Sequence, residues 1–203
     1  MEKKLAKIFS YLFHPLLMPT YTMLVLLNLH AYFAMIIPEQ AKWRLIGIVF
    51  LVTFVFPAIL SYFFLRTGII HSFEMRSRQE RVFPLLITAI FFYLNYYLIN
   101  GVEISPVFAY FAIGATSLVI VTLLINFFWK ISMHMIGMGA LFGTLLGVSL
   151  AFYVSIPSLI FASVIVAGLT GFARLRLTAH DPSQVYTGFL AGTVVMLAFF
   201  LAI

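Results

Sequence analysis

Cysteine is absent from this sequence, acidic residues are few, and charge of either sign is scarce. The 203 residues include no cysteine, six acidic and twelve basic residues, so charged residues make up 9% of the chain. Without cysteine, a thiol nucleophile, a thiolate metal site and a redox function are excluded. A soluble domain carries roughly a quarter charged residues. The composition therefore excludes a soluble enzyme and, despite the net charge of +6, a nucleic-acid-binding domain.

Apolar residues take the place of the missing charge. They make up 64% of the chain, and they form runs long enough to cross a bilayer, which takes about 20 residues. We predict seven helices over residues 11–36 (interrupted by two prolines), 43–65, 82–98, 106–128, 132–154, 157–172 and 182–203. Since the connections are short, the sequence predicts an all-α polytopic transmembrane helical bundle of six to seven spans. Residues 1–203 are expected to form a single membrane-embedded domain.

Two local patterns predict where helices begin and where they meet. Ser105-Pro106 and Asp181-Pro182 each place a capping side chain before a proline at the first helical position. Glycines recur at four-residue spacing, which lets helix backbones approach closely in lipid. These glycines are Gly139, Gly143 and Gly147 in one predicted helix and Gly188 and Gly192 in another.

Most basic residues fall on one side of the membrane when the predicted spans are counted along the chain. Lys42 and Arg44 lie on the opposite side. The other ten of the twelve are Lys3, Lys4, Lys7, Arg66, Arg76, Arg78, Arg81, Lys130, Arg174 and Arg176. The positive-inside rule therefore predicts that this side, with the N-terminus, is cytoplasmic. We expect an integral protein of a bacterial inner membrane.

His134 and His180 lie at predicted helix N-termini on this basic side. Arginine donors fit the oxygens of a phosphate, and helix N-termini add unpaired N–H groups and the positive end of the dipole. Imidazole titrates near neutrality, so one histidine can attack phosphorus while the other protonates the leaving oxygen. His14, His30 and His71 are predicted to be structural hydrogen-bonding residues. The pattern favours a phosphoryl-transfer site.

Three blocks of the sequence resemble the signatures of the type 2 phosphatidic acid phosphatase superfamily. Arg174, five residues, His180, three residues and Gln184 is similar to the third signature, in which an aspartate takes the last position. Ser132-Met133-His134 is similar to the second signature, and residues 76–84 stand where the first is expected. The resemblance covers about residues 76–192. It implies a membrane-embedded helical bundle that removes phosphate from lipid phosphates or diphosphates through a phosphohistidine.

The resemblance also implies a function for each matching residue. It makes His180 the nucleophile and His134 the general acid, with Gln184 or Asp181 as the partner of the nucleophile. The implied phosphate ligands are Arg174, Ser132 and Arg81, with Arg76, Arg78 or Lys130 replacing a lysine of the first signature, at whose place Glu74 stands. No metal or other cofactor is implied. The expected partners are a lipid phosphate substrate and membrane lipids, and no nucleic acid.

Gln184 is the largest departure from the family pattern. A glutamine carbonyl can orient the histidine, but it adds no charge to stabilise an imidazolium. Asp181, the only aspartate of the chain, could supply that charge, although it also fits the N-cap of the following helix. The sequence therefore leaves open a non-catalytic protein that binds lipid phosphates. A transporter is less favoured, because no acidic residue lies within a clear span.

Overall fold

The fold is known from a computed structural model that describes residues 2–75, 77–102 and 104–202. These residues form ten α-helices and no strand. The helices are α1 (Glu2–Leu12), α2 (Met18–Leu27), α3 (Tyr32–Met35), α4 (Glu39–Phe50), α5 (Phe56–Arg66), α6 (Val82–Asn100), α7 (Pro106–Phe128), α8 (Met133–Ala151), α9 (Pro157–Arg176) and α10 (Pro182–Leu201). The all-α prediction is confirmed. Arg76, one of the candidate phosphate ligands, lies outside the described residues.

Seven helical segments in the described ranges are long and apolar enough to cross a membrane. They are Glu2–Leu27, Glu39–Arg66, Gln79–Asn100, Pro106–Phe128, Met133–Ala151, Pro157–Arg176 and Pro182–Leu201. Their number agrees with the prediction from the apolar runs, and two of them begin at the prolines predicted to open a helix. The predicted side-chain cap is present at Asp181 but not at Ser105, whose side chain makes no capping hydrogen bond to the described start of α7. The protein is an integral membrane protein with a polytopic helical bundle.

The first of these segments differs from its predicted course over residues 11–36. Helix α1 already begins at Glu2 and ends at Leu12. A short 3₁₀ turn at Pro15–Leu17 then leads into α2. Proline has no N–H group with which to continue a helical ladder. The Nδ1 atom of His14 instead accepts a hydrogen bond from the backbone N–H of Leu16 at 3.3 Å. The N-terminal segment therefore contains a tight turn at His14.

The described backbone divides into two compact units. The first contains α1 and, after residue 130, helices α8, α9 and α10. The second contains most of α2 and the helices α3 to α7. The sequence-based expectation of one domain over residues 1–203 stays a prediction.

Helices α8 and α10 of the first unit pack through the predicted glycines. A Cβ atom at Gly143 would lie 2.5 Å from the carbonyl oxygen of Thr193, and one at Gly188 would lie 2.9 Å from the carbonyl oxygen of Ser132. Only glycine permits backbones to approach this closely. The predicted packing by small residues is confirmed. The contact at Gly188 also brings the start of α10 against the start of α8.

In the second unit, the chain before α6 is held by the carboxylate of Glu80. The backbone N–H of His71 donates to Oε1 at 3.0 Å, and the backbone N–H of Ser77 donates to Oε2 at 3.2 Å. The ring of His71, which is 84% exposed, lies 2.9 Å from Oε1 through its Nδ1 atom. The structure thus gives His71 a structural hydrogen-bonding position at the protein surface, as predicted.

Candidate functional site

One end of the first unit contains six of the residues selected from the sequence. Two helix starts and one helix end bring them there: Ser132 and His134 open α8, Arg174 lies in the last turn of α9, and His180, Asp181 and Gln184 precede or open α10. The connection from α9 to α10 is short, so the last turn of α9 and the first turn of α10 are neighbours. The short connection explains why Arg174 and His180 belong to one site.

The N-termini of α8 and α10 lie side by side. The backbone N–H of Ser132 donates to the carbonyl oxygen of Gln184 at 3.3 Å, next to the close approach at Gly188. Each helix start carries backbone N–H groups without an intrahelical acceptor and the positive end of a helix dipole. Two such starts in one place favour the binding of an anion.

The ring of His180 is oriented by the side chain of Gln184. The His180 Nδ1 atom lies 2.6 Å from Gln184 Oε1, and only 8% of His180 is exposed. Because an amide oxygen only accepts hydrogen bonds, Nδ1 must carry the proton and donate it. In the neutral ring, Nε2 then holds the lone pair. The contact therefore leaves Nε2 as the ring nitrogen whose lone pair is available to a ligand.

Asp181 is the N-cap of α10, as the sequence predicts. Its Oδ1 atom accepts a hydrogen bond from the Ser183 hydroxyl at 2.6 Å and from the backbone N–H of Gln184 at 2.9 Å. These two hydrogen bonds, the hydroxyl first, lower the pKa of the Asp181 carboxyl from its usual value. Asp181 thus fastens the helix start, while the side chain of Gln184 reaches back to His180.

Ser10 of α1 contacts both Arg174 and His134. The guanidinium Nη1 of Arg174 donates to Ser10 Oγ at 3.1 Å, and His134 Nε2 donates to the Ser10 carbonyl oxygen at 3.0 Å. His134 also interacts electrostatically with Arg174, His14 and His180. The two predicted histidines and the predicted arginine therefore form one cluster.

Ser132 supplies a hydroxyl at the start of α8. The residue is fully buried, and its Oγ atom has no hydrogen-bond partner among the described residues. A buried polar atom left without a partner costs about 1–3 kcal/mol. A phosphate oxygen could accept a hydrogen bond from this hydroxyl, which fits its predicted function as a phosphate ligand.

The remaining candidates belong to the second unit, where their described contacts are structural. Arg78 donates through Nη1 to the carbonyl oxygen of Phe127 at 3.1 Å and to that of Phe128, at the C-terminus of α7. Arg81 is buried and donates through Nε to the carbonyl oxygen of Met75 at 3.0 Å. Lys130 follows α7 and is half-buried. Phosphate binding by Arg78, Arg81 and Lys130 stays a prediction.

Ser10 and His14 also belong to the cluster, although neither was predicted from the sequence as a site residue. His14 does cap a turn, but its ring also lies 5.8 Å from the ring of His134, centroid to centroid, in an edge-on arrangement with an interplanar angle of 75°. The available signal was the His14-Pro15 pair, which interrupts an apolar run and marks a turn. Nothing in the sequence indicates that Ser10 contacts residues so distant along the chain.

No protein-family model, curated protein or solved structure matches this chain. Within the described residues, no group of three histidine, aspartate or glutamate side chains could hold a metal ion. The candidate site consists of two adjoining helix N-termini, an oriented histidine, a second histidine and an arginine, in a membrane-embedded helical bundle.

Proposed function

We propose that this protein is a metal-independent phosphatase, or a phosphotransferase of the same mechanism, that acts on a membrane lipid phosphate or diphosphate. The observation that carries the proposal is the 2.6 Å contact between His180 Nδ1 and Gln184 Oε1, which leaves the Nε2 lone pair available for attack on phosphorus. The resemblance of the second and third sequence blocks to the type 2 phosphatidic acid phosphatase signatures supports the same function.

The proposed reaction has two steps. First, His180 Nε2 attacks phosphorus: an N–P bond forms, the P–O bond to the lipid breaks, and protonated His134 gives a proton to the leaving alkoxide. Since Nε2 of His134 donates to Ser10, that proton comes from Nδ1. Second, water attacks phosphorus, His134 takes up its proton, the N–P bond breaks, and phosphate leaves. A phosphotransferase would use an alcohol in place of water.

The phosphate is held by charge and by directed donors in this proposal. Arg174 supplies the positive charge, the Ser132 hydroxyl supplies a buried donor, and the N-termini of α8 and α10 add backbone N–H groups. Phosphoryl transfer depends mainly on positioning and on neutralising the charge of the equatorial oxygens. The lipid tail would extend along the membrane-spanning part of the bundle.

A phosphate-release screen tests this function. The purified protein is assayed in detergent with a chelator against phosphatidate, phosphatidylglycerophosphate, a prenyl diphosphate and a sphingoid phosphate. We expect release from at least one of them, its loss in His180→Ala, and its retention in His71→Ala, a matched change at an exposed histidine of the second unit. A strict requirement for magnesium or zinc would contradict the mechanism.

The second candidate is a non-catalytic protein that binds lipid phosphates. Gln184 favours it, because a neutral amide does not stabilise the imidazolium that a phosphohistidine requires. Lipid phosphate binding by the wild-type protein without any phosphate release would support this alternative. Lipid flux without release would instead indicate a transporter.

We further propose that the site faces the cytoplasm across a bacterial inner membrane. An ion pair between Glu2 and Arg176 ties the start of α1 to the end of α9, so the lysines that follow Glu2 lie near the proposed site. The positive-inside rule assigns such a lysine cluster to the cytoplasm.

Because the chain has no cysteine, single cysteines can test this orientation with a membrane-impermeant thiol reagent in intact cells. Lys4→Cys, on α1, should be protected. Tyr153→Cys, just past the other end of α8 and 94% exposed, should be labelled. The reverse pattern would contradict a cytoplasmic site.

A further inference from the structure

We propose that Ser10 is a positioning residue that fixes both Arg174 and His134, and that α1 is thereby part of the phosphate site. The functions of Arg174 and His134 in this inference rest on the proposed phosphatase mechanism. The contacts that support it are three hydrogen-bonding or ionic links between α1 and residues of α8 and α9.

The first link orients the arginine. Arg174 Nη1 donates to the Ser10 hydroxyl at 3.1 Å. An arginine side chain has many rotamers, and fixing one of them on ligand binding costs free energy. A neighbour that already holds the guanidinium lowers that cost. Ser10 is 7% exposed, so water competes little for this hydrogen bond.

The second link fixes the tautomer of the proposed general acid. His134 Nε2 lies 3.0 Å from the Ser10 carbonyl oxygen, which can only accept, so Nε2 carries a hydrogen. The Nδ1 atom is then the nitrogen through which His134 exchanges a proton with the substrate. Ser10 thus determines which ring nitrogen of His134 can exchange a proton with the substrate.

The break after α1 explains why the Ser10 carbonyl can accept from His134. Inside an α-helix, that carbonyl would accept from the N–H group four residues later. Helix α1 ends at Leu12, and the Phe13 N–H group donates to the Phe9 carbonyl oxygen at 2.9 Å, so Ser10 lies in the last turn. The Ser10 carbonyl therefore belongs to the helix end, where carbonyls lack intrahelical donors.

The position of α1 is set by one face of the helix. Glu2, Ala6 and Ser10 recur every four residues and so share a face. Ala6 and Ser10 are buried, while Glu2 pairs with Arg176. The helix is therefore fastened to α9 at both of its ends, which gives Ser10 a defined position beside Arg174.

The hydroxyl contact is tested by Ser10→Ala, with Ser10→Thr as the conservative variant. Inorganic phosphate is titrated into protein with ¹⁵N-labelled histidines, and the shift of the ring resonances gives its affinity. We expect phosphate to bind about tenfold more weakly to Ser10→Ala, because a hydrogen bond to a charged group is lost. Ser10→Thr should stay within about threefold of wild type, because it keeps the hydroxyl.

The matched control is Ser163→Ala, which removes a buried hydroxyl of α9 that donates to its own helix, to Ile160 O at 2.7 Å. Phosphate affinity should not change in this variant. If phosphate turnover is found, Ser10→Ala should raise KM more than it lowers kcat. Three results would overturn the hydroxyl contact as a positioning interaction. They are wild-type phosphate affinity in Ser10→Ala, an equal loss of affinity in Ser10→Ala and Ser10→Thr, and no phosphate binding by the wild-type protein.

The carbonyl contact is tested on the wild-type protein, because a backbone carbonyl is not removed by a side-chain substitution. The ¹⁵N resonances of neutral His134, assigned by their absence in His134→Ala, should report the tautomer with hydrogen on Nε2. Hydrogen on Nδ1 would overturn the inference. Neither this measurement nor the titration requires turnover. If the protein hydrolyses no lipid phosphate, the proposed function fails, but these two experiments still test whether Ser10 positions Arg174 and His134.

Discussion

Substituting Gln184 by glutamate changes the charge of the group beside His180 and leaves its length unchanged. In the wild-type protein, Gln184 Oε1 lies 2.6 Å from His180 Nδ1, and a glutamate oxygen can take the same position. The carboxylate would accept the same hydrogen bond and, in the proposed reaction, would also stabilise the positive charge of the ring after its attack on phosphorus. We therefore expect Gln184→Glu to be faster than wild type.

The expected size follows from the strength of the hydrogen bond. A bond between neutral groups contributes about 0.5–1.5 kcal/mol and one to a charged group about 1.5–3 kcal/mol. A difference of about 1.4 kcal/mol corresponds to tenfold in rate. Gln184→Glu should thus raise kcat about tenfold, and Gln184→Ala should lower it about tenfold. Gln184→Asp should gain less than Gln184→Glu, because its side chain is shorter by one C–C bond, roughly 1.5 Å.

The assay is the initial rate of phosphate release at saturating lipid phosphate. Gln40→Glu is the matched control, since it makes the same chemical change at an exposed residue in the first turn of α4, and it should leave the rate unchanged. A Gln184→Ala protein as fast as wild type, or a Gln184→Glu protein slower than Gln184→Ala, would refute the assignment of Gln184 as the partner of His180.

Three further predictions concern the helix cap, the helix packing and the general acid. Hydrogen bonds in the folded protein lower the pKa of Asp181, so the stability that its carboxylate contributes is present above the unfolded-state pKa and is lost as pH falls through the folded-state pKa. In thermal unfolding, Asp181→Ala should therefore be less stable than wild type at pH 6 and equal to it in strong acid. Asp181→Asn should stay close to wild type throughout. Gly143→Ala should lower the free energy of unfolding by about 1–3 kcal/mol, because its Cβ would lie 2.5 Å from Thr193 O, whereas Gly168→Ala, with nothing within 4 Å, should not lower it. His134→Ala should slow a lipid phosphate far more than an activated aryl phosphate, since only the poor leaving group needs a proton; equal losses with both substrates would argue against His134 as the general acid.

Much of the fold could be predicted from the sequence, because the bilayer leaves the chain few alternatives. A backbone in lipid must satisfy its hydrogen bonds internally, so a long apolar run must become a helix. The starts of α7 and α10 follow from proline at the first helical position, and the glycine spacing predicts close packing of α8 and α10, although not which helix each one contacts. These are local signals, each contained within one helix.

The candidate site could be predicted where its residues lie close together in sequence. His180 and Gln184 are four residues apart, on either side of the N-cap Asp181, and the resemblance of this block to the third signature is enough to pair them. The contacts of Ser10 could not be predicted, because its partners are 124 and 164 residues further along the chain. For Arg78, the resemblance implies a phosphate ligand that replaces the lysine of the first signature. Its described partners are carbonyl oxygens at the end of α7, which nothing in the sequence indicates.

The central claim is that His180 carries the phosphoryl group, and trapping the intermediate tests it most directly. The protein is mixed with a ³²P-labelled lipid phosphate, quenched within milliseconds to seconds, and examined for labelled protein that is stable in alkali and labile in acid, as expected of a phosphohistidine. We predict such label on wild type and on His71→Ala, located at His180 and missing from His180→Ala. Rapid phosphate release without labelled protein, or label retained in His180→Ala, would contradict the account.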